Sequence, residues 1–548
     1  MSTIDSPISR LPQEILLEIF HAGSCLTGNP FDAMGFSILV SLVSYHWRAL
    51  ALSSPQLWST ISLEFGQDDS WPAEISLESA KNRFRHVAKF LDRSRQAPLC
   101  VFLDTWAFQD EYDQYQHDNA DLCTKWFNFL LEAVGILLGP HGARFREFHL
   151  LSESVTPVVQ ILAHLPPSAM PLLETLKIHR SDPYQSYLGD FEPQGIDHTL
   201  STFFNPSGSG GRGAVAYFAN AYPRLKHVTL CGIPLPWSSF APRNLTSLTL
   251  NFLPLNVRPR AEDLRALLLG NAHSLETLSI QGSAPFENLC EPFTLPKLIT
   301  LSLGYAYPEE VARLIPTIRV PNLKNLIVTD LRRCLSTIEE RMVAYVDPYS
   351  TMSLFATLSR HLPCRTLEEL TLCYVLLAPP SPNFALRRPP PDLATTSWPH
   401  LFFSHLISLK SLKLYDPDEG ILKSLNSLFY KSQVSEKNDM QSDMQRVYVT
   451  LPRLQSLHLR CRNSDRDLVR RFLIDRIMYI QLARRYNVPR LKDITVSAAA
   501  KWAQMLDTPG LALIADQVTI IDSHSSAKAD TCVGDAKQGS DIVHPQLL

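Results

Sequence analysis

Residue types that could do chemistry are plentiful in this chain, but they do not fall into catalytic spacing. The ten cysteines, at 25, 100, 123, 231, 290, 334, 364, 373, 461 and 532, contain no Cys-x-x-Cys pair and do not alternate with histidine as zinc ligands do. No His-Glu-x-x-His, Gly-x-Ser-x-Gly or phosphate-loop pattern occurs. The run PSGSGGRG (206–213) lacks the Lys-Ser/Thr pair that cradles phosphate, and its composition predicts a flexible surface loop. His458 stands by itself in a strand-like phrase, the setting of a half-exposed structural histidine. The densest charge lies in SDRDLVRRFLIDRIMYIQLARRY (464–486). Its apolar stripe is Val469, Phe472, Leu473, Ile477 and Ile480, and arginines 466, 470, 471, 476, 484 and 485 take the other face. Asp465, Asp467 and Asp475 interrupt those arginines, so the segment reads as a salt-laced helix face rather than an anion site. No catalytic residue, cofactor site or metal site is expected. The chemistry on offer is binding.

Apolar side chain is in greatest surplus between residues 10 and 61, where RLPQEILLEIF and ILVSLVSYHWRALALSSPQLWSTI predict three short helices. Pro12 suits a first helical turn, and Glu14 lies near the positive end of the helix dipole. Ile15, Leu16, Ile19 and Phe20 form one stripe. Leu39, Val43, Trp47 and Leu50, spaced i, i+4, i+8 and i+11, form another on a second helix. Ser53 or Ser54 can cap a third turn that opens at Pro55 and carries Leu57 and Trp58. So small a unit cannot bury all of this internally, and the excess implies a partner.

These residues closely resemble an F-box: Leu11-Pro12-x-Glu14-Ile15-Leu16, then Val43 to Trp47, then Leu57-Trp58. Ser44 stands where many members carry cysteine, and HAGSCLTGNPFDAMGF (21–36) suggests an extended first loop. The resemblance covers about the first sixty residues. It implies docking onto the Skp adaptor of a cullin–RING ubiquitin ligase through Leu11, Pro12, Ile15, Leu16, Ile19, Phe20, Leu39, Val43, Trp47, Leu50, Leu57 and Trp58. The rest of the chain would then hold a protein substrate.

At 548 residues the chain exceeds one compact core, so several domains or a repeat array are expected. The net charge of −3, with 45% hydrophobic and 19% charged residues, argues against a nucleic-acid binder. No run reaches the length of a membrane span, and the N-terminus lacks a signal-peptide core. Scattered cysteines suit reduced thiols, so the expected location is cytoplasmic and/or nuclear, and the Asn244-Leu-Thr246 sequon is expected to be irrelevant.

Behind the first helices one phrase recurs as MPLLETLKI (170–178), YPRLKHVTL (222–230), LPKLITLSL (295–303), VPNLKNLIV (320–328), LPRLQSLHL (451–459) and VPRLKDITV (488–496). Copies without that proline are RFREFHL (144–150), NLTSLTL (244–250), SLETLSI (274–280), TLEELTL (366–372) and SLKSLKL (408–414). The last two apolar residues of each copy point to one side of a strand, and the leading residue enters the core from the bend before it. Amphipathic helical stretches at 261–272, 308–316, 351–362 and 420–430 separate the copies. This alternation predicts a parallel sheet with helices on one side. It looks like the irregular leucine-rich repeats of fungal-type F-box proteins. The expected fold class is α/β, an N-terminal three-helix F-box followed by an irregular leucine-rich-repeat solenoid. Its predicted parts are an F-box (1–65), connecting helices and cap (66–140), the solenoid (141–522) and a disordered tail (523–548). A helix within 75–95, a strand near 98–103 and a helix through 124–138 complete the connecting part. Long spacings between copies leave room for excursions such as ALRRPPPD (385–392).

The strand face opposite the repeated apolar residues carries mostly small hydroxyl side chains, which suits a solvated surface. Loops just after the strands differ: they hold Trp237, Phe252, Phe286, Tyr305, Tyr307, Tyr374 and Tyr415, with Arg460 and Arg462 near the end. This aromatic rim is the expected substrate-binding region, by analogy with ligand binding at strand carboxyl ends. The expected role is a non-enzymatic substrate receptor. The alternative is a leucine-rich-repeat scaffold that uses the adaptor outside ubiquitination.

Overall fold

All eleven copies of the recurring phrase end in a β-strand. The computed structural model describes residues 8, 11–26, 30–64, 84–105, 131–132, 134–135, 137–152, 155–165, 170–180, 220–233, 235, 237–238, 240–285, 287, 291–331, 348–377, 398–425, 428–431, 446–449, 451–460, 471–472, 475–476, 491–498 and 515–522. The fold is mixed α/β and dominated by parallel sheet. It divides into two compact units, residues 1–258 and 259–545.

In the first unit, α1 (Gln13–Leu26), α2 (Pro30–Val43), α3 (Tyr45–Ser53) and a 3-10 turn (Pro55–Trp58) lead into β1 (Thr60–Glu64). Two expectations change here. The stretch 21–36 is mostly helical, because α1 continues to Leu26 and Pro30 opens α2 at a position that tolerates proline. The stripe from Leu39 to Leu50 is not one helix. Ser44 adopts an extended conformation (φ −157°) and its hydroxyl accepts the Trp47 N–H at 3.1 Å, which starts α3 afresh. Gly23 lets α1 and α2 approach, since a Cβ there would collide with the Phe36 ring.

The three helices are built into the sheet. Trp58 is fully buried, its indole N–H donates to the Ala51 carbonyl at 2.7 Å, and its ring meets Phe90 edge-on at 4.9 Å. Phe90 belongs to α4 (Arg85–Arg93), whose Arg93 guanidinium lies 4.2 Å over the same indole. On the other side the Met34 thioether of α2 accepts the Ser62 N–H of β1 at 3.0 Å, and the Ser37 hydroxyl donates to Leu57 O at 2.7 Å. A helix thus covers the outer edge of the first strand, where unpaired backbone would otherwise be exposed.

From β1 the chain adds β2 (Leu99–Asp104), β3 (Phe145–Ser152), α5 (Val155–His164), β4 (Thr175–Arg180), β5 (His227–Cys231) and β6 (Ser247–Asn251). Each strand pairs in parallel with the next in chain order. Register holds the copies in phase: Phe148, Leu176, Val228 and Leu248 form one core row, and Leu150, Ile178, Leu230 and Leu250 the next. The leading residues Phe145, Leu173, Leu225 and Leu245 are buried behind them.

The second unit repeats this plan. Its elements are α6 (Ala261–Gly270), β7 (Thr277–Gln281), β8 (Phe293–Thr294), β9 (Thr300–Tyr305), α7 (Pro308–Leu314), β10 (Ile318–Arg319), β11 (Asn325–Asp330), α8 (Pro348–His361), β12 (Glu369–Cys373), α9 (Trp398–His405), β13 (Ser411–Tyr415), α10 (Glu419–Leu425), β14 (Leu428–Lys431), β15 (Arg446–Val449), β16 (Ser456–Arg460), β17 (Leu491–Ala498) and β18 (Ala515–Asp522). Strands β7, β9, β11, β12, β13, β16, β17 and β18 pair in parallel in that order. Leu278, Leu301, Leu326, Leu370, Leu412, Leu457 and Ile494 form a continuous buried row. Such rows are stable only when neighbouring strands stack, since each strand buries about three apolar side chains worth about 2 kcal/mol apiece. The antiparallel pair β14–β15 fills part of the long spacing between the copies at 409 and 454.

Strands β1 and β18 arise from sequence that carries no copy of the phrase. The helix expected within 75–95 is α4, and the strand near 98–103 is β2. Within 124–138 the described residues 131–132, 134–135 and 137 are helical, as are 471–472 and 475–476 of the arginine-rich segment. The Gly/Ser run 206–213, the proline run 385–392 and the tail 523–548 lie outside the described residues.

Candidate docking surface

Helices α1 and α2 leave apolar side chain outside. On α1, Leu16 and Phe20 turn inward and are buried, while Ile15 and Ile19 are exposed. On α2, Ala33, Met34, Ser37 and Val40 face the core. Over the last two turns the opposite side is aliphatic: Ile38, Leu39 (64% exposed), Leu42 (66%) and Val43 (61%). Tyr45, the first residue of α3, is 90% exposed, and Leu26 ends α1 in the open. Full burial of an aliphatic side chain is worth about 1.5–3 kcal/mol, so covering Leu39, Leu42 and Val43 alone would stabilise a complex by about 3–5 kcal/mol. Soluble surfaces seldom carry such a concentration of apolar residues without a partner.

The twelve residues expected to meet an adaptor therefore separate into three groups. Pro12, Ile15, Ile19, Leu39 and Val43 are exposed and available for contact. Leu16, Phe20, Leu50, Leu57 and Trp58 are buried and build the unit instead, a correction to their expected role as contacts. Leu11 and Trp47 are half-buried; the Trp47 ring packs on Phe20 at 4.9 Å. Ile38, Leu42 and Tyr45 extend the surface beyond the expected set. Their signal was present in the sequence, because 38 and 42 lie one helical turn apart, beside 39 and 43.

A scan against protein-family models finds no match. A search of curated proteins finds none either. The functional reading of this surface accordingly rests on its residues and geometry.

The expected aromatic rim is placed differently. Phe252, Tyr305, Tyr374 and Tyr415 are buried, so at these positions the rim is packed into the molecule rather than offered to solvent. Two of them owe this to backbone geometry. Phe252 (φ 53°) and Tyr374 (φ 61°) take left-handed conformations just past their strands, which swings the chain over the strand end. The Tyr374 N–H then donates to Tyr415 O at 2.8 Å, as Gly232 N–H does to Asn251 O at the end of β5. Trp237 is half-buried, its indole N–H donating to Val257 O at 2.8 Å and its ring edge-on to Phe240. Tyr307 and Arg460 are half-exposed, and Phe286 and Arg462 lie outside the described residues. Tyr305, Tyr415 and Arg460 are not loop residues: each is the last residue of its strand, and Tyr415 and Arg460 pair in register.

Titratable groups gather at one further place, on β2 to β4. The Cys100 thiol lies 3.1 Å from the Arg146 guanidinium, which also approaches Glu147 at 3.4 Å. Burial, with help from the Glu147 charge, pushes that thiol up to about 11, so it is protonated and a poor nucleophile at neutral pH. His149 sits under the Phe102 ring (4.4 Å between centroids), with Glu147 at 3.6 Å. Burial holds its pKa below the usual imidazole value despite Glu147, and the same histidine keeps the Glu147 carboxyl below the usual carboxylate range. His179 is pushed down to about 4 by burial; its Nδ1 is sealed from solvent without a hydrogen-bond partner. This cluster holds an unreactive thiol and neutral histidines, not an activated nucleophile. Among the described residues, no three His, Cys, Asp or Glu side chains come together as metal ligands, and no helix is long and apolar enough to cross a membrane.

Proposed function

We propose that this chain is the substrate-receptor subunit of a Skp–cullin–F-box ubiquitin ligase. Helices α1 to α3 with the Pro55–Trp58 turn act as the F-box, and the exposed side of α1 and α2 docks to the Skp adaptor. The strands and their crossover helices form stretches of irregular leucine-rich-repeat solenoid that hold a protein substrate. The chain itself contributes proximity and orientation, while the transfer chemistry belongs to other subunits.

One observation carries this reading. Residues of the three F-box-like sub-motifs and the helices that carry them divide between fold and surface, with Leu11 and Trp47 half-buried, and Ile15, Ile19, Leu39 and Val43 leave aliphatic side chain exposed on two adjacent helices. A buried motif alone would be consistent with any small helical cap. An exposed aliphatic face at the motif positions calls for a partner.

The test is co-purification of the full chain from cells of its source. Capture of both a Skp adaptor and a cullin is expected. Adaptor without cullin would favour the scaffold reading, and absence of both would overturn the assignment.

A further inference from the structure

An open cavity of about 490 Å³ lies between α4 and the 3-10 segment Gly139–Arg144 of the first unit. Arg144 lines it and is only 9% exposed. Its Nε and Nη2 donate to Ala97 O at 3.1 and 2.9 Å, Nη2 also donates to Ser94 Oγ at 2.7 Å, and Nη1 donates to His141 Nδ1 at 3.3 Å. Those bonds fix the guanidinium, none of them goes to a carboxylate, and one Nη1 hydrogen is left over. Arginine is seldom so deeply buried without an acidic partner, because a desolvated charge is costly unless paired. The bond to His141 needs a neutral imidazole, and burial, with help from the Arg144 charge, holds that group below its usual pKa.

A second arginine lines the same cavity from the end of α4. Arg95 follows the capping residue Ser94 in a left-handed conformation (φ 49°), at a position where glycine is the usual choice. Its side chain is exposed and makes no ion pair or hydrogen bond among the described residues. That backbone is disfavoured for arginine, and it occurs where the side chain adds a second cation to the cavity. Among the described lining residues Asp92 is the single acid; it is exposed and likewise unpaired, so the two arginines outweigh it by one charge. Ala88, Leu91 and Leu137 supply apolar wall, and Gln96 is neutral.

We propose that this cavity binds a small monocarboxylic acid, its carboxylate set between the Arg144 and Arg95 guanidinium groups and its apolar body against Ala88, Leu91 and Leu137. The volume falls within the range of about 300–1,000 Å³ that small-molecule sites occupy. Guanidinium groups match a planar carboxylate in geometry as well as charge, and one already held in place loses little freedom on binding. A single net positive charge suits a monoanion, while Asp92 disfavours a second negative group. None of these residues belongs to the adaptor-facing side of α1 and α2, so the site does not depend on the receptor reading.

The test titrates the full chain by calorimetry with phenylpropionate, with the neutral phenylpropanol and with the dicarboxylate phenylsuccinate. The monoacid is expected to bind, and the alcohol and the diacid to bind at least about tenfold more weakly. Arg95→Gly suits the left-handed backbone, so the melting temperature should hold or rise while the monoacid binds about tenfold more weakly. Arg95→Lys keeps the charge and should retain most of the affinity, and Asp92→Asn should tighten the monoacid and admit the diacid. Failure of the monoacid to bind, equal binding of the monoacid and the alcohol or the diacid, or unchanged affinity in Arg95→Gly overturns the proposal. Adaptor capture on the same preparations tests the receptor reading separately.

Discussion

Replacing Leu39, Leu42 and Val43 together by alanine isolates what the aliphatic face of α2 does. The three side chains are more than half exposed, so the folded chain gains little from them, and alanine is at least as good a helix former as the residues it replaces. The melting temperature should therefore stay within about 2 °C of the parent, as for other surface changes. A docked partner loses most of three buried aliphatic side chains, about 3–5 kcal/mol, which corresponds to an affinity loss of two to three orders of magnitude. Calorimetric titration of the purified chain with a Skp adaptor reads the affinity, and a thermal melt of the same sample reads the fold. Leu50→Ala serves as the contrast: that side chain is buried, so the change should destabilise by about 2–5 kcal/mol. A triple variant that binds adaptor within threefold of the parent at an unchanged melting temperature would refute the docking argument.

Trp58→Ala should cost about 3–5 kcal/mol of stability, because it empties a buried site and removes the Phe90 and Arg93 contacts; a urea denaturation curve checks this. Trp58→Phe should recover most of the packing while still losing the bond to Ala51 O. Gly23→Ala forces Phe36 away from α1 and is expected to destabilise by about 1–3 kcal/mol, read in the same way. His179 has a folded pKa of about 4 against 6.5 for the free side chain, so the folded state binds fewer protons and stability falls as pH drops below 6.5. Between pH 7 and pH 5 this one group removes about 2 kcal/mol, and His179→Leu should flatten the decline in urea midpoint over that window. Cys100, with its thiol at about 11, should react with iodoacetamide at pH 7.5 far more slowly than the exposed Cys25, as peptide mapping by mass spectrometry would show.

The strand array was legible because its signal is local. Two apolar residues spaced by two, with a buried leading residue three before them, define a strand and its entry without reference to anything distant. All eleven copies accordingly became strands, and in-phase register followed from the same pattern. What the pattern could not supply depends on packing partners. Leu16 and Ile15 are neighbours of one type on one helix, yet one is buried and the other exposed, since only tertiary contact decides which side of α1 meets the core. Ser44 reads as a small residue inside an apolar stripe, but its hydroxyl competes for the Trp47 N–H and divides the helix. Tyr374 looked like an exposed rim residue, and its left-handed backbone turned it inward.

These departures bear on function in one direction. Every aromatic that the strand ends withdraw from solvent, Phe252, Tyr305, Tyr374 and Tyr415 among them, is an anchor that a substrate cannot reach directly. Every aliphatic residue that α1 and α2 leave outside is one that the core does not need. Among the described residues, exposed large apolar side chains are therefore concentrated on the N-terminal helices. On the strands the accessible side chains are polar and charged, Lys413, His458 and Arg460 being the densest group on β13 and β16. Polar contacts of that kind discriminate more than they stabilise, because a mismatched charge leaves a desolvated group unpaired. A chain that holds its adaptor by apolar burial would show little response to salt at that contact. Raising ionic strength should leave adaptor affinity nearly unchanged, because the contact is aliphatic, and parallel titrations at low and high salt would expose any departure from that expectation.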